Sequence, residues 1–504
     1  MAQSSNHIKG WICQKQYLKF PFLAFVIPLI VRIVPEIIMG QYVTGFDNMA
    51  FYVPNTLDWL KNGINLFTFM SSAPLFYILL MGITSTGASI VFSLKLLAPL
   101  ILGLLAFSIY FYASKALSWS PKKSLLVALL STLYFVALRV SWDMLRSELA
   151  LVFLFLSLIL LQKNKFDLKN GLLLSLLMIL VVFTNQLIAI IMFVIVITTA
   201  AILFLKKERA ELPNLVVLVV PSILLFLTIF YMNYISLSLP TTGYSMDFGG
   251  GFETLIGASG LQLTIDTFGF LAFCYLPLTP FLIFSARRFK SNIQLKAWIV
   301  WIFIPLILVL VSQNAFFTGG IPPFRWILLL TYPLAFYVAQ AFSVIKWNWY
   351  KISVTAILVV LSLSFLVSPN SGSIIYFGHY PTYIPKTMLQ NTIDLSDCQD
   401  TTNSLIWAKN NMPSNGHLLA HEAFYGQAIL ILDEDQLIPY YYSSPTQAVS
   451  QLSTANQSYP LYLIWWVNGT GWYGQPTTPS SFQEVYRSGN IAVFNYSDNR
   501  LFMY

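Results

Sequence analysis

The sequence predicts a polytopic α-helical membrane protein, with about 11 transmembrane helices, that carries a soluble α/β domain at its C-terminal end. Two observations support this fold class. Of the 504 residues, 57% are hydrophobic and 10% are charged, whereas about a quarter of the residues in an ordinary soluble protein are charged. From Ser368 onward, Asn, Ser, Thr, Pro and Tyr replace Leu, Ile and Val. We therefore expect a transmembrane domain over residues 1–368 and a separate domain over residues 369–504.

The predicted spans are a series of apolar segments, several of them shorter than the roughly 20 residues of a straight transmembrane helix. They lie near 20–39, 90–112, 124–140, 148–162, 170–183, 187–205, 214–235, 267–285, 297–312, 326–343 and 352–368. The run from Gly171 to Leu205 is long enough for one long helix or for two short ones. We predict two helices that turn at Thr184-Asn185-Gln186, because this keeps the basic loops on one side of the membrane.

The orientation follows from the position of Lys and Arg. Most of the 28 basic residues lie in loops near 9–19, 115–123, 163–169, 206–209, 287–296 and 346–351. Short cytoplasmic loops are enriched in Lys and Arg, so we predict a cytoplasmic N-terminus and an extracytoplasmic C-terminal domain, in a plasma membrane or an endoplasmic-reticulum type of membrane. The net charge of +8 then reflects topology, and no nucleic-acid partner is expected.

The first external loop follows the first span and places Asp47 just outside it. A short amphipathic helix is predicted next, with Phe51, Leu57 and Leu60 on its apolar face. A second apolar piece, residues 73–81, is too short to cross a bilayer. We expect these helices to lie flat in the membrane interface, where Asp47 can meet both a lipid head group and a water-soluble partner.

The C-terminal domain shows alternating helix and strand patterns, which predict an α/β domain. Helices are expected over Thr402–Asn411, Ala423–Leu432 and Pro445–Leu452, and strands over His417–Ala420, Gln436–Tyr442 and Tyr462–Val467, with two further strands between Phe482 and Tyr496. The acidic run Asp433-Glu434-Asp435 is interpreted as a solvated turn. The aromatic residues Tyr440, Tyr441, Tyr442, Trp465, Trp466 and Trp472 could stack on sugar or fill a core.

Three glycosylation sequons begin at Asn456, Asn468 and Asn495, all in the domain that the basic loops place outside the cytoplasm. They are consistent with an extracytoplasmic glycoprotein. The three cysteines fall in different predicted compartments, so no disulfide or cysteine metal site is proposed.

A loose motif runs through the first external loop. An apolar span is followed by an acidic residue, a tyrosine, Leu-x-x-Gly and Pro-Leu, which here are Asp47, Tyr52, Leu60, Gly63, Pro74 and Leu75. This order resembles the first external loop of the GT-C glycosyltransferases, a class that includes mannosyltransferases, lipid A arabinosyltransferase-like enzymes and enzymes that depend on dolichyl-phosphate sugars. Many members carry two adjacent acidic residues in this loop, whereas this chain has Asp47 followed by Asn48.

The resemblance implies a GT-C-like fold and a glycosyltransferase activity in the cell envelope or a comparable membrane. Such an enzyme moves a sugar from a polyprenyl-phosphate carrier, for example dolichyl phosphate, to a glycan, lipid or protein acceptor outside the cytoplasm. The resemblance assigns a catalytic role to Asp47, and the tyrosine of the motif, Tyr52, joins the substrate-binding candidates. A second acidic residue often follows the third span in this class, and Asp143 matches it.

The remaining candidates are charged residues near the outer ends of the spans. Asp143 and Arg146 contribute to the site or form an i,i+3 pair at a helix start. Lys95 extends along its helix to the membrane surface or binds a carrier phosphate. Arg325 anchors a helix end or binds that phosphate, which a guanidinium matches bidentately. Arg32 and Glu36, four residues apart, are predicted to form a structural pair.

Together these residues suggest a mechanism. Asp47 acts as general base, Arg325 or Lys95 holds the leaving phosphate, and a cleft between spans takes the isoprenoid tail; a single displacement inverts the anomeric carbon. A divalent metal bound through Asp47 and Asp143 stays an alternative. Two other classes remain open: a transporter or flippase for lipid-linked oligosaccharides, which would tend to show repeated halves, and a membrane-anchored surface protein.

Overall fold

The computed structural model describes residues 2–162, 167–205, 211–238, 260–286, 292–312, 323–346, 348–367, 391–440, 460–467 and 481–496, with the single residues 445, 449 and 478. They form two compact units. The helical unit comprises the described residues up to Ile37 and between Ile64 and Val367. The sheet unit comprises Ile38–Gly63 and the described residues from 391 onward. The first external loop, up to Gly63, thus belongs to the same compact unit as the C-terminal residues.

The described residues contain nineteen α-helices. Eighteen of them precede the first strand, and one short helix lies among the strands. In chain order they are α1 Ala2–Ile38, α2 Val53–Asn62, α3 Leu66–Ser71, α4 Leu75–Thr84, α5 Ile90–Phe111, α6 Pro121–Leu133, α7 Phe135–Asp143, α8 Leu145–Leu161, α9 Leu168–Thr184, α10 Gln186–Leu205, α11 Leu212–Ser238, α12 Gly260–Tyr275, α13 Thr279–Ala286, α14 Ile293–Ser312, α15 Pro323–Leu329, α16 Thr331–Val344, α17 Asn348–Leu366 and α18 Leu395–Asn411.

Each predicted apolar segment coincides with one or two of these helices. Within the described residues, six helices are long and apolar enough to cross a membrane, or seven if the pair α6 and α7, bent by 59°, forms one span. The chain is therefore an integral membrane protein, while the predicted number of about 11 spans stays a prediction. Several of the other helices are apolar but shorter than a straight span.

The predicted division of residues 171–205 into two helices is confirmed. Helix α9 ends at Thr184 and α10 begins at Gln186, with Asn185 in an extended conformation between them. The Asn185 side chain accepts a hydrogen bond from the N–H of Ile188 and donates one to Ser147 Oγ at 3.0 Å. An asparagine that satisfies the first free N–H groups of the next helix favours a new helix start over a continuous helix.

Aromatic side chains fill the middle of the helical unit. The ring of Phe155 on α8 lies 5.6 Å from Tyr112, 5.7 Å from Trp298 and 6.2 Å from Phe336, measured between ring centroids. Tyr112 opens a π-helical turn, Tyr112–Ala116, and its hydroxyl donates to Gln294 Oε1. This cluster ties α5, α8, α14 and α16 together, because large rings bury the most apolar area per residue.

The sheet unit contains a mixed five-stranded sheet of order β2-β1-β3-β5-β4. The strands are β1 His417–His421, β2 Leu437–Tyr440, β3 Leu461–Trp466, β4 Phe482–Ser488 and β5 Ile491–Tyr496, and the short helix α19 covers Glu422–Ala428. Strand β1 runs parallel to β2 and β3, whereas β5 pairs antiparallel with β3 and β4. The predicted α/β domain is confirmed in each of its described elements.

Several predictions for this domain lie outside the described residues. These are the helix over Pro445–Leu452, apart from residues 445 and 449, the sequons at Asn456 and Asn468, and the aromatic residues Tyr441, Tyr442 and Trp472. Parts of the predicted basic loops, at 163–166, 206–210 and 287–291, lie outside them as well. The third sequon residue, Asn495, is in β5, where it pairs with Tyr462 and Gln483 on the two neighbouring strands.

Helix α2 in the first external loop has the predicted amphipathic character but a different buried face. Val53, Thr56 and Trp59 are buried, whereas Leu60, predicted on the apolar face, is 39% exposed. The buried face is set by the packing partners of the helix in the sheet unit, which local periodicity does not contain.

Candidate functional site

Asp47 lies in a loop whose backbone the sheet unit holds in place. The N–H of Gly45 donates to Asn391 Oδ1 at 2.9 Å, and the buried Asn48 side chain donates to the carbonyl of Thr44. The Asp47 side chain is half-buried and does not cap the helical turn that follows it. This arrangement fixes the backbone on both sides of a carboxylate that is still partly accessible to solvent.

The five residues after Asp47 form a turn of π-helix, Asn48–Tyr52. The N–H of Val53 donates to the carbonyl of Asn48, which closes the wider ring of a π-type turn. Single π-turns next to α-helices are rare and frequently lie at functional sites. Tyr52 ends this turn, and its side chain is only 4% exposed. This burial favours a role for Tyr52 in supporting the structure of the loop.

A close backbone contact packs the π-turn against α19. A Cβ added at Gly426 would lie 1.9 Å from the carbonyl oxygen of Met49, and real Cβ atoms do not approach other heavy atoms within 3.0 Å. Glycine inside a helix is otherwise unfavourable, so its presence here has a packing reason. Sequence reasoning missed this residue, although a glycine in the middle of a predicted helix was the available signal.

Arg32 is the centre of a buried ionic cluster in the helical unit. Its Nη1 donates to Glu36 Oε1 at 2.7 Å, its Nε to the carbonyl of Ser141 at 3.1 Å and its Nη2 to the carbonyl of Trp142 at 3.4 Å. The predicted pair of Arg32 and Glu36 is thus confirmed. Arg32 also satisfies carbonyl groups at the C-terminal end of α7, which no intrahelical N–H can reach.

Lys95 joins this cluster from α5. Its Nζ donates to the backbone carbonyl of Glu36 at 2.7 Å and lies 3.7 Å from Glu36 Oε2. The side chain therefore connects α5 to α1 within the protein. To bind a carrier phosphate, Lys95 would have to share or exchange its contact with Glu36, and its predicted phosphate role stays a prediction.

The other predicted residues of this unit flank two helix ends. Asp143 is the last residue of α7, directly after the carbonyls that Arg32 holds, and Arg146 is the second residue of α8. The guanidinium carbon of Arg146 lies 5.6 Å from the ring centroid of Tyr77. Arg325 is half-buried in the first turn of α15. The side chain of Asp143 lies outside the described part of the chain, so its pairing and its role stay predictions.

A buried carboxylate that sequence reasoning did not select lies close to these segments. Glu148, in the first turn of α8, is fully buried, and within the described residues neither of its carboxyl oxygens has a hydrogen-bond partner. Tyr332 on α16 is also fully buried, and its hydroxyl has no hydrogen-bond partner within the same residues. Glu148 follows Asp143 on α8, and Tyr332 follows Arg325 on α16, so each lies in a segment that carries candidate residues.

Burying Glu148 as an ion would have a large energetic cost. Removing a carboxylate from water costs several kcal/mol even after the protein relaxes. Its place in the first turn of a helix returns only about 0.3–1 kcal/mol. The three nitrogens of the Arg32 guanidinium donate to Glu36, Ser141 and Trp142. No group in the described residues donates a hydrogen bond that offsets this cost.

The C-terminal aromatic and acidic residues have structural surroundings. Tyr440, Trp465 and Trp466 are each less than 5% exposed, which places them in the core rather than on a sugar-binding surface. The predicted acidic turn is confirmed as a short 3₁₀ turn, Glu434–Gln436. Partial burial, reinforced by the negative charge of Asp58, raises the pKa of Glu434, although Asn62 donates to its carboxylate.

The predicted site residues are divided between the two compact units. Lys95, Asp143, Arg146 and Arg325 are in the helical unit, and Asp47 and Tyr52 are in the sheet unit. Within the described residues, no group of three or more His, Cys, Asp or Glu side chains could hold a metal ion. The metal role considered for Asp47 and Asp143 stays a prediction.

Comparison with solved structures identifies the fold. The chain resembles ArnT from Cupriavidus metallidurans bound to undecaprenyl phosphate, with a TM-score of 0.52 and 11% sequence identity over 98% of this chain and 99% of that one. The chain has an ArnT-like fold. The apo state of the same protein matches with a TM-score of 0.50 and 12% identity, over 97% and 98% of the two chains. This likeness confirms the GT-C-like fold class predicted from the sequence. No protein-family model and no curated protein sequence matches the chain.

Proposed function

We propose that this protein is a membrane glycosyltransferase that transfers a sugar from a polyprenyl-phosphate carrier to an acceptor on the extracytoplasmic side. The observation that carries the proposal is the fold: it matches, over nearly the whole chain, an ArnT structure that holds undecaprenyl phosphate. The first-loop carboxylate, Asp47, supports it, because its backbone is fixed by Asn391 and by the π-turn while its side chain stays partly accessible.

The proposed mechanism is a single displacement. Asp47 takes the proton of an acceptor hydroxyl while that oxygen forms a bond to the anomeric carbon of the sugar. The bond between the anomeric carbon and the phosphate oxygen breaks, and polyprenyl phosphate leaves with the electron pair. This route inverts the anomeric configuration. Arg325 or Lys95 would stabilise the charge that develops on the phosphate.

The carrier can be identified without knowledge of the acceptor. We would purify the full chain from its membranes in mild detergent and analyse the copurifying lipids by mass spectrometry. The proposal expects a polyprenyl phosphate or its glycosylated form, in an amount up to one lipid per protein chain. If the preparation contains only bulk phospholipid and the purified chain binds no added undecaprenyl phosphate, the proposed function is wrong.

The catalytic assignment is tested with two matched substitutions in the first loop. Asp47→Asn keeps the size of the side chain and removes the group that accepts the proton, so sugar transfer should fall by about 10²–10⁴-fold. Asp58→Asn makes the same chemical change at a half-buried position on α2, where the carboxylate accepts a hydrogen bond from Asn62, and transfer should stay near wild type. Both variants should still bind the glycosylated lipid. A normal transfer rate in Asp47→Asn would make the loop architectural and favour a flippase.

A further inference from the structure

A row of uncharged polar side chains connects the first external loop, helix α18 and strand β4 within the sheet unit. Gln41 Nε2 donates to Tyr42 Oη at 2.9 Å, and Tyr42 Oη donates to Gln399 Oε1 at 2.9 Å. Gln399 Nε2 donates to Asn403 Oδ1 at 3.0 Å, and Asn403 Nδ2 donates to Ser488 Oγ at 3.2 Å. All five residues are exposed or half-buried. We call them the polar row.

The polar row keeps hydrogen-bonding groups available to a ligand. A side-chain amide has two N–H donors and a carbonyl oxygen with two lone pairs. Within the described residues, Gln399 and Asn403 each donate only one of their two amide hydrogens, and the oxygen of Gln41 accepts no hydrogen bond. A ligand that both donates and accepts hydrogen bonds can therefore pair with the row and leave its internal bonds intact.

Two aromatic rings lie next to the row. Trp407 is one helical turn after Asn403 on α18, and its ring is stacked with that of Tyr486 on β4, with 5.2 Å between the centroids and 10° between the planes. Both residues are half-buried, so part of each remains accessible. Aromatic rings with a small number of polar groups are the common lining of sites for small organic ligands. A sugar offers both kinds of partner, because it has hydroxyl groups at its edge and apolar C–H groups on its faces.

The charges next to the polar row disfavour a charged ligand. Asp397 and Asp400 on α18 accept hydrogen bonds from Asn490 at 3.1 Å and from the serine of the row at 2.8 Å. On β4, Arg487 Nε donates to Glu484 Oε1 at 2.8 Å. The five residues of the row carry no charge themselves, and a phosphate group bound to them would meet the Asp400 carboxylate at the end of the row. The surface is therefore suited to a neutral ligand.

The row begins close to the proposed general base. Tyr42 precedes Asp47 by five residues, and five residues of extended chain span at most about 18 Å. The backbone between them is held in place, because Val43 is buried and the N–H of Gly45 donates to Asn391 Oδ1. An acceptor that extends over this distance, such as an oligosaccharide, can lie on the row and present a hydroxyl group to Asp47.

We propose that the polar row, together with Trp407 and Tyr486, binds the saccharide part of the acceptor. The amide groups exchange hydrogen bonds with sugar hydroxyls, and the aromatic rings pack against a face of a sugar ring. This inference rests on the proposed function and adds to it the class of the acceptor, which is a neutral glycan rather than a phospholipid or a protein.

The test measures the binding of three neutral trisaccharides, maltotriose, mannotriose and triacetylchitotriose, to the full chain in nanodiscs by saturation-transfer difference NMR. Wild type should bind at least one of them. Gln399→Ala removes one amide partner of the ligand, so the affinity should fall by about 2- to 10-fold. The double variant Gln399→Ala with Asn403→Ala should lower it by about 10- to 100-fold. Both variants should unfold at the temperature of wild type, because neither side chain is buried.

Gln436→Ala is the matched control. It removes an amide from a half-buried residue directly before β2, which is at the opposite edge of the sheet from β4, and it should bind the trisaccharide as wild type does. If wild type binds no trisaccharide, or if all variants bind with equal affinity, the inference is wrong. An uncharged acetylated peptide that binds wild type and loses affinity in the same two variants would also overturn it, because the row would then hold a protein acceptor.

Binding of the carrier to the same nanodiscs separates this inference from the proposed function. A chain that binds undecaprenyl phosphate but no trisaccharide would refute only the inference about the acceptor. A chain that binds a trisaccharide through the row but no undecaprenyl phosphate would refute the proposed function, and the acceptor role of the row with it.

Discussion

Among the glycines inside the described helices, Gly426 is the one at which substitution by alanine should destabilise the protein most. The new Cβ would lie 1.9 Å from the carbonyl oxygen of Met49, so α19 or the π-turn Asn48–Tyr52 must move by more than 1 Å to restore a 3.0 Å contact. Overpacking of a well-packed site typically costs about 1–3 kcal/mol. The upper end applies here, because the obstructing atom is backbone and cannot rotate away.

A loss of about 3 kcal/mol corresponds to a decrease in Tm of roughly 6–12 °C, at about 2–4 °C per kcal/mol for domains of 150 residues or more. Calorimetry on the purified full chain measures this shift. The same displacement moves the residues next to Asp47, so sugar transfer should fall even at temperatures where the variant stays folded.

Gly82→Ala is the control for this prediction. Gly82 is also inside a helix, α4, but a Cβ at this position meets no atom within 4 Å. Alanine should therefore be neutral there or stabilise the helix by up to about 1 kcal/mol. If Gly426→Ala unfolds at the same temperature as wild type and Gly82→Ala, the packing of α19 against the first external loop is not as described, and the argument that places Asp47 through this contact fails.

Two further predictions concern charged residues. Arg32→Met should destabilise the helical unit by about 3–5 kcal/mol, because it leaves the buried Glu36 without its direct partner. The double variant Arg32→Met with Glu36→Leu should recover much of that loss. If Arg32→Met alone resists thermal unfolding as well as wild type does, the reasoning is refuted. Glu434 has a raised pKa in the folded chain, so the folded state holds its proton more tightly than the unfolded state, and stability should decrease as the pH rises from the ordinary pKa of the group towards the raised one. In Glu434→Gln that part of the pH dependence of Tm between pH 4 and 7 should disappear, whereas an unchanged profile would contradict the assignment.

Local sequence patterns predicted most of the secondary structure. Apolar runs predict helices in a membrane because every backbone N–H and C=O must be satisfied within the segment. The break at Asn185 could be predicted because the basic loops require it, and the pair of Arg32 and Glu36 because residues four apart share a helix face. In the C-terminal domain, alternating apolar residues and turn residues predicted strands β1 to β5 to within a few residues.

The sequence by itself determined the fold class, the helices and the identity of Asp47 as the first carboxylate outside the first span. Only the tertiary structure decided that the Asp47 loop packs within the sheet unit, through contacts such as the one between Gly45 and Asn391, 346 residues apart. It also decided that Glu148 is fully buried and that its carboxyl group has no hydrogen-bond partner in the described residues. The physical reason is that periodicity and charge patterns report which face of an element is buried, whereas the atoms it is buried against are set by packing between distant segments.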